Sequence, residues 1–208
     1  MPVRCGQAEF FLYKGNVFYD LSRITFIDTK IKNIQRVEDF FPLTLEYFHK
    51  NENAYLNKAL SLGIINNFLD SNRLQVFKKE IQNKDYRRLL YGQFGKIKTN
   101  FELEFKTTKG NKTINKGFQF EIDLVLENKN EIIIFEAKQG VKRRTSFCLL
   151  QLYYPLLYLT KITNNKKKIR TIFIDIETKT QEKYMLTEYV FKGLIFDDYR
   201  VVQAVEYK

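Results

Sequence analysis

Two neighbouring apolar runs carry the polar residues of this chain whose types and spacing suit metal chemistry. The run FQFEIDLVLE holds Asp123, and the run EIIIFEAKQG ends with Glu136 and Lys138, which share one strand face because they lie two positions apart. Two carboxylates beside an ammonium group suit Mg²⁺, which takes one or two carboxylates and fills its remaining positions with water and phosphate oxygens. The alternative is a surface-facing strand end with a salt bridge between Glu136 and Lys138.

The elements that position these residues are predicted to be the two strands of a hairpin. Apolar and polar residues alternate in the first run, which is typical of a strand with one buried face. The apolar positions are Phe118, Phe120, Ile122, Leu124 and Leu126, and the polar ones are Gln119, Glu121, Asp123 and Glu127. Asn128, Lys129 and Asn130 separate the runs and favour a tight turn.

The length of the turn decides whether the polar residues meet. A two-residue loop at Lys129-Asn130 places Asp123 opposite Glu136, and Glu121 opposite Lys138. Directly opposed residues have Cβ atoms about 5 Å apart, so three carboxylates and one ammonium group would form a compact cluster. A three-residue loop would turn Asp123 to the other face.

A buried helix and two further strands are predicted after the hairpin. Thr145 or Ser146 can cap the run SFCLLQLYYPLLYLTKI, which is apolar nearly all round and is therefore expected to pack on the sheet. Gln151 is its one strongly polar residue, and a buried amide needs partners, either in the cluster or at a backbone carbonyl. The segments KKKIRTIFIDIETKT and EKYMLTEYVFKGLIF follow as strands.

At these residues the chain resembles the PD-(D/E)xK nuclease superfamily. The motif stands as Asp123, twelve intervening residues, and then Glu136-Ala137-Lys138, although Ile122 occupies the position before the Asp where the superfamily motif has Pro. The resemblance implies an α/β (α+β) fold with a restriction-endonuclease-like core, in which a mixed sheet is flanked by helices. The strand FELEF, from Phe101, is expected to precede the hairpin in that sheet, the alternative being that the Asp123 strand is itself the first of the three antiparallel strands.

The resemblance also implies an activity, which is closest to that of a type II restriction endonuclease. Asp123 and Glu136 would hold Mg²⁺, with the carbonyl of Ala137 as a further ligand. Lys138 would orient or deprotonate the attacking water or stabilise charge on the phosphate. Glu121 would hold a second ion or lock Lys138, and Gln151 would reach the site.

The same resemblance implies several partners. The substrate would be double-stranded DNA, cut at a specific sequence by a two-fold homodimer, because two nicks need two sites. A cognate DNA methyltransferase would be the functional partner. Arg143 and Arg144 would grip a neighbouring phosphate, unless they are a plain solvated charge run.

Composition fits a basic globular protein. The 208 residues include 35 Lys and Arg against 24 Asp and Glu, giving a net charge of +11, which attracts polyanions such as DNA. The sequence contains no run of eighteen apolar residues, which is the length that predicts a membrane span. Cys5 and Cys148 are far apart and indicate neither a zinc site nor a disulfide framework, so we expect reduced thiols and a cytoplasmic location.

The chain is predicted to divide into an N-terminal region, residues 1–95, and a nuclease core, residues 96–208. The first region shows short β-like runs and then three helical segments, near 39–49, 51–63 and 71–92. Together with the basic strands that follow, these helical segments have the outline of a winged helix. In that interpretation the loop lysines would meet DNA phosphates. Those lysines are Lys106, Lys109, Lys112 and Lys116. The alternative is a helical cap with a solvated Lys-rich hairpin.

Three other functions fit the same residues. The first is a structure-selective or repair and recombination nuclease with the same core. The second is one nicking subunit of a larger enzyme. The third is a non-catalytic DNA-binding protein whose carboxylates only form salt bridges.

Overall fold

Segments rich in Ile, Val and Phe with a period of two form the strands of the central sheet. The structure is a computed structural model, and it describes residues 51–71, 97–139, 146–178 and 182–208 together with the short segments 2–4, 10–12, 15, 18–20, 30–32 and 87–88. Strands and helices are both present in these residues, and they form a mixed α+β fold. None of the helices in this part of the chain has the length and apolarity that a bilayer crossing requires.

The sheet has seven strands. The strands of the described residues are β1 (Pro2–Arg4), β2 (Phe10–Leu12), β3 (Phe18–Asp20), β4 (Lys30–Lys32), β5 (Arg87–Arg88), β6 (Ile97–Lys98), β7 (Leu103–Thr107), β8 (Gly110–Ile114), β9 (Gln119–Phe120), β10 (Leu124–Glu127), β11 (Glu131–Gln139), β12 (Ser146–Cys148), β13 (Lys168–Glu177), β14 (Lys183–Phe191) and β15 (Tyr199–Tyr207). The order across the sheet is β4-β15-β14-β13-β11-β10-β5. The pairs β11/β13 and β15/β4 are parallel and the others are antiparallel, so the sheet is mixed as predicted.

Helices pack on both faces of the sheet. They are α1 (Glu52–Ser61), α2 (Ile64–Ser71) and α3 (Leu150–Ile162), and a short 3₁₀ helix spans Lys192–Leu194. The α1 and α2 helices bury their apolar side chains with Phe135 and Ile174 on one face. The α3 helix buries its own with Ile134 and Phe173 on the other face. The alternation of β13 therefore supplies apolar side chains to two separate cores.

The predicted motif hairpin is present with the predicted loop. Leu124 pairs with Phe135 and Glu127 pairs with Ile132, which is the register of a two-residue loop at Lys129-Asn130. The Asn128 side chain accepts hydrogen bonds from the N–H groups of Asn130 and Glu131 at 2.9 and 2.8 Å. This side-chain turn favours the tight loop that sets the register.

The strand expected before the hairpin was assigned wrongly. The FELEF segment contributes to β7, which pairs with β8 in a separate two-stranded ribbon. The neighbour of β10 in the sheet is β5, at Arg87–Arg88, where the sequence predicted helix. The rest of the third predicted helix from residue 72 onward, and the helix predicted near 39–49, lie outside the described residues. The apolar face of a ribbon strand and the apolar face of a sheet strand give the same alternating pattern in sequence. The pattern therefore does not distinguish the two kinds of strand.

The ends of two other elements also differ from prediction. The run from Phe118 is two strands, β9 and β10, because residues 121–123 leave the ladder. The α3 helix begins at Leu150 with Leu149 at its N-cap position and without a side-chain cap. Residues 146–148 form β12, so Ser146 and Cys148 lie on a strand and not in the predicted helix, and Thr145 lies outside the described residues. The α1 helix begins as predicted, because the Asn51 side chain accepts from Ala54 N–H at 2.9 Å.

A buried ion pair ties the central strands together far from the motif. The Arg170 guanidinium on β13 donates two hydrogen bonds to the Glu188 carboxylate on β14, both at 2.8 Å. Glu131 on β11 lies 4.0 Å from the same guanidinium. All three side chains are buried. Bidentate pairing compensates for the removal of these charges from water.

Removing the charge of one partner should therefore destabilise the protein strongly. We expect Glu188→Gln to lower the free energy of unfolding by about 3 kcal/mol, because the buried Arg170 loses its bidentate carboxylate. Glu177→Gln is the matched control, since the Glu177–Lys183 pair is partly exposed, with N and O 3.8 Å apart, and contributes below about 1 kcal/mol. Urea denaturation of both variants measures this difference, and equal losses would contradict it.

Candidate active site

The hairpin register brings the two motif carboxylates together. The ladder begins at the Leu124–Phe135 pair, and Asp123 lies just before it. From there its carboxyl group lies beside that of Glu136, and each changes the pKa of the other. The predicted approach of Asp123 and Glu136 on one face is therefore confirmed.

Asp123 also completes the backbone hydrogen bonding at this end of the hairpin. Its Oδ2 accepts from the Ala137 N–H at 2.7 Å. The β10 strand begins only at Leu124, so this side-chain oxygen takes the place of a main-chain acceptor. Burial raises the pKa of Asp123, while the Ala137 N–H and Lys138 oppose that rise. The residue is fixed in position from both sides, by backbone and by carboxyl group.

Glu136 is the most buried charged group of the site. Its side chain is only 3% exposed. Burial, with the neighbouring Asp123 carboxylate as the second cause, raises the pKa of Glu136 to about 8. Two carboxylates held in contact in a buried place repel each other unless a proton or a cation lies between them. The arrangement is thus suited to binding positive charge.

Lys138 supplies part of that positive charge. Its Nζ lies 2.7 Å from Glu136 Oε1 and 3.5 Å from Glu52 Oε2. Burial disfavours the ammonium form, but Glu136, Asp123 and Glu52 together outweigh this effect, and the pKa of Lys138 is raised. Glu52 is the first residue of α1 and was not predicted as a site residue. No local pattern in the sequence points to it, because 86 positions separate it from Lys138.

Gln151 reaches the site as the resemblance implied. It lies in the first turn of α3, and its Nε2 donates to Glu136 Oε1 at 2.5 Å. The same oxygen accepts from Lys138, so two donors orient one carboxylate oxygen. The Gln151 amide therefore has a hydrogen-bond partner in the cluster.

Glu121 is the predicted site residue that the structure does not bring to Lys138. The ladder between β10 and β11 begins at Leu124, so the expected pairing of Glu121 with Lys138 is not formed. The Glu121 side chain is exposed. The third carboxylate beside Lys138 is Glu52 instead, which comes from α1 and not from the hairpin.

The predicted DNA-binding lysines lie on or beside one ribbon. Lys106 is on β7, Lys109 is in the turn, Lys112 is on β8 and Lys116 follows β8. Lys106 is half-buried and pairs with Glu104 at 3.1 Å, and the other three are exposed. Arg143 and Arg144 lie outside the described residues.

The donor set fits a divalent cation that keeps most of its water. Among the residues whose positions are described, no group of three or more His, Cys, Asp or Glu side chains is arranged to hold a metal ion. Mg²⁺ does not require such a group, because one or two carboxylates with water and phosphate oxygens are its usual ligands. Asp123 and Glu136 provide two carboxylates in contact, with the raised pKa of Glu136 marking a place that favours added positive charge.

Comparison with known proteins gives a family without an activity. A family model described as a domain of unknown function (DUF6997) matches residues 14–208. No curated protein and no solved structure matches the chain.

Neutralising Glu136 should stabilise the protein when divalent ions are removed. The pKa of Glu136 rises in the folded state from 4.5 to about 8, so this group favours folding most fully below pH 4.5, and that contribution is lost as the pH rises through 8. Glu136→Gln carries no charge and keeps its hydrogen-bonding shape. Its stability relative to the natural protein should therefore increase across this pH window, by at most about 1.4 kcal/mol per pH unit.

Urea denaturation in EDTA at a series of pH values measures this effect. Glu102→Gln is the control, because Glu102 is an exposed carboxylate and its loss should give no comparable gain. The electrostatic account of this site would be contradicted if Glu136→Gln had no higher free energy of unfolding than the natural protein. It would also be contradicted if the gain at pH 5 and at pH 8 agreed to within about 0.5 kcal/mol.

Proposed function

The chain belongs to the DUF6997 family, and we propose that it is a Mg²⁺-dependent endonuclease that hydrolyses phosphodiester bonds in duplex DNA at a specific site. One observation carries the proposal, namely that the Asp123 carboxylate accepts from the Ala137 N–H at 2.7 Å, next to Glu136, whose carboxylate lies 2.7 Å from the Lys138 ammonium. The net charge of +11 supports a polyanionic substrate.

Asp123 and Glu136 would hold the divalent ion, with the Ala137 carbonyl as a further candidate ligand. When bound, such an ion lowers the pKa of water and neutralises the negative charge that develops on the phosphate. Asp123 is already aligned by the Ala137 N–H, and Glu136 is aligned by Gln151. These contacts reduce the reorganisation needed when the cation arrives.

Lys138 would act on the substrate. Its ammonium group shares the face of β11 with Glu136. A phosphate drawn to a divalent ion held by the two carboxylates would therefore lie within its reach. There it would orient the attacking water or donate to a phosphate oxygen. Glu52, 3.5 Å away on α1, would keep the ammonium group charged and directed toward the site.

The restriction-endonuclease-like core is part of the proposal. The order of motif hairpin, helix α3 and parallel strand β13 agrees with the order that the resemblance implies. A cut through both strands needs two such sites, so we propose a two-fold homodimer with a cognate DNA methyltransferase as its functional partner. Cutting only of branched DNA would instead favour a structure-selective nuclease.

The direct test is digestion of several sequenced plasmids with and without Mg²⁺, followed by run-off sequencing of the ends. A site-specific enzyme gives discrete fragments that require Mg²⁺ and share a sequence at their ends. A protein that binds DNA equally well with and without Mg²⁺ but cuts none would contradict the proposal and favour the non-catalytic alternative.

Asp123→Asn and Glu136→Gln should each reduce cleavage by at least about 100-fold at saturating Mg²⁺, because each removes one of two anionic ligands. Both substitutions keep a hydrogen-bond acceptor, so the fold should persist, and DNA binding should persist or tighten as negative charge leaves a surface facing phosphate. Cleavage rate and fluorescence anisotropy, measured side by side, separate these effects. Retention of a tenth of the natural rate by either variant would remove that residue from the metal site.

Lys138→Arg and Lys138→Ala should both lose most of the turnover while they still bind DNA and Mg²⁺. A planar guanidinium cannot take the place of the compact ammonium group that Glu136 and Glu52 hold. A lysine that only closes a salt bridge at a strand end would tolerate arginine. Near-normal single-turnover cleavage by Lys138→Arg would therefore favour the structural role over the catalytic one.

A further inference from the structure

The β7–β8 ribbon packs one face on the core and leaves its β8 strand exposed. Leu103, Phe105 and Ile114 are buried on the packed face. On β8, the positions from Gly110 to Thr113 are all exposed, and among the described strands β8 pairs with β7. The ribbon is thus anchored at β7 and open to solvent along β8.

The outer face of the ribbon carries an ordered set of donors and acceptors. Glu104 pairs with Thr113, and Lys106 pairs with Asn111, so these four side chains share one face. The Asn111 amide donates to Glu104 Oε1 at 2.8 Å, and the Lys106 Nζ lies 3.1 Å from Glu104 Oε2. A carboxylate is thereby held in a fixed position at the centre of a basic segment.

The β7 strand and the turn of the ribbon are held against α3 and against the segment before β15. The Tyr153 hydroxyl donates to the Leu194 carbonyl at 2.6 Å and accepts from the Lys106 N–H at 3.2 Å. The Thr108 N–H and hydroxyl both donate to Asp197 at 2.7 Å. The α3 helix that holds the ribbon through Tyr153 also places Gln151 against Glu136. Ribbon and candidate active site therefore have a common support.

We propose that the β7–β8 ribbon enters the major groove of duplex DNA and reads base edges there, as the element that determines sequence specificity. This inference rests on the proposed function. The major groove admits a two-stranded ribbon, and its base edges present the donors and acceptors that Lys, Asn, Thr and Glu recognise. Four lysines against one glutamate between 103 and 116 give the ribbon and its flanking turn a positive charge that complements DNA.

Glu104 favours base reading over simple phosphate contact. A carboxylate at the centre of the outer face would repel phosphates, whereas it can accept a hydrogen bond from the amino group of cytosine. Lys106 and Asn111 hold it in place, which lowers the entropy lost when it binds. The exposed Lys109 in the turn and the exposed Lys112 on β8 do not lie on this face, and they would contact the DNA backbone. An A-form RNA duplex does not fit, because its major groove is too deep and narrow.

The test is sequence selection by the full-length chain in EDTA, so that cleavage plays no part. A pool of duplex DNA with a randomised segment is bound and sequenced, and affinities for the selected sequence and its single base-pair variants are measured by fluorescence anisotropy. Asn111→Ala and Thr113→Val should each relax the preference at one base pair by about 10-fold. Lys109→Ala and Lys112→Ala should weaken all sequences alike and lower the salt dependence by about 0.9 each.

Lys129→Ala is the matched control, since Lys129 is an exposed lysine in the turn of the other hairpin, and it should leave selection and salt dependence unchanged. Selection of no preferred sequence, ribbon variants that keep the natural preference, or equal binding of an RNA duplex would each overturn the inference. Ribbon-dependent selection by a protein that cuts no DNA with Mg²⁺ would support the ribbon and contradict the nuclease, so the two failures are distinguishable.

Discussion

The contact between the Asp123 and Glu136 carboxyl groups is the interaction that organises the site around it. Two carboxyl groups are held together in a buried place at the end of a hairpin with a two-residue loop. Lys138 and the amide of Gln151 both contact Glu136 there. Such an arrangement adds little stability to a fold, and the proposed function assigns it to a cation beside an anionic substrate.

Helix α3 joins that site to the β7–β8 ribbon, the surface proposed to read DNA. Two residues that are close in sequence face different neighbours, because Gln151 contacts Glu136 whereas Tyr153 holds the base of the β7–β8 ribbon. The helix is buried by the apolar side chains that surround both residues. A helix packed on one face of the sheet in this way fixes the distance between the place where DNA would be recognised and the place where it would be cut.

The sequence was sufficient for the hairpin because local rules decide it. The alternation around Asp123 and the turn at Lys129-Asn130 predicted the register. The polar position of Gln151 on an apolar helix predicted only that its amide needs a partner, which the structure supplies at Glu136. Glu52 could not be found in this way, since its approach to Lys138 depends on how α1 packs on the sheet. Glu121 was assigned wrongly because the period of two continues in the sequence where the backbone leaves the ladder.

The central claim is that Asp123 and Glu136 bind a divalent cation together. The most direct measurement is anomalous diffraction from crystals soaked in Mn²⁺, an ion that takes similar oxygen ligands and scatters anomalously. The account predicts one strong peak within about 2.3 Å of a carboxylate oxygen of each residue. No peak at this position at saturating Mn²⁺, or a peak that contacts neither carboxylate, would contradict it.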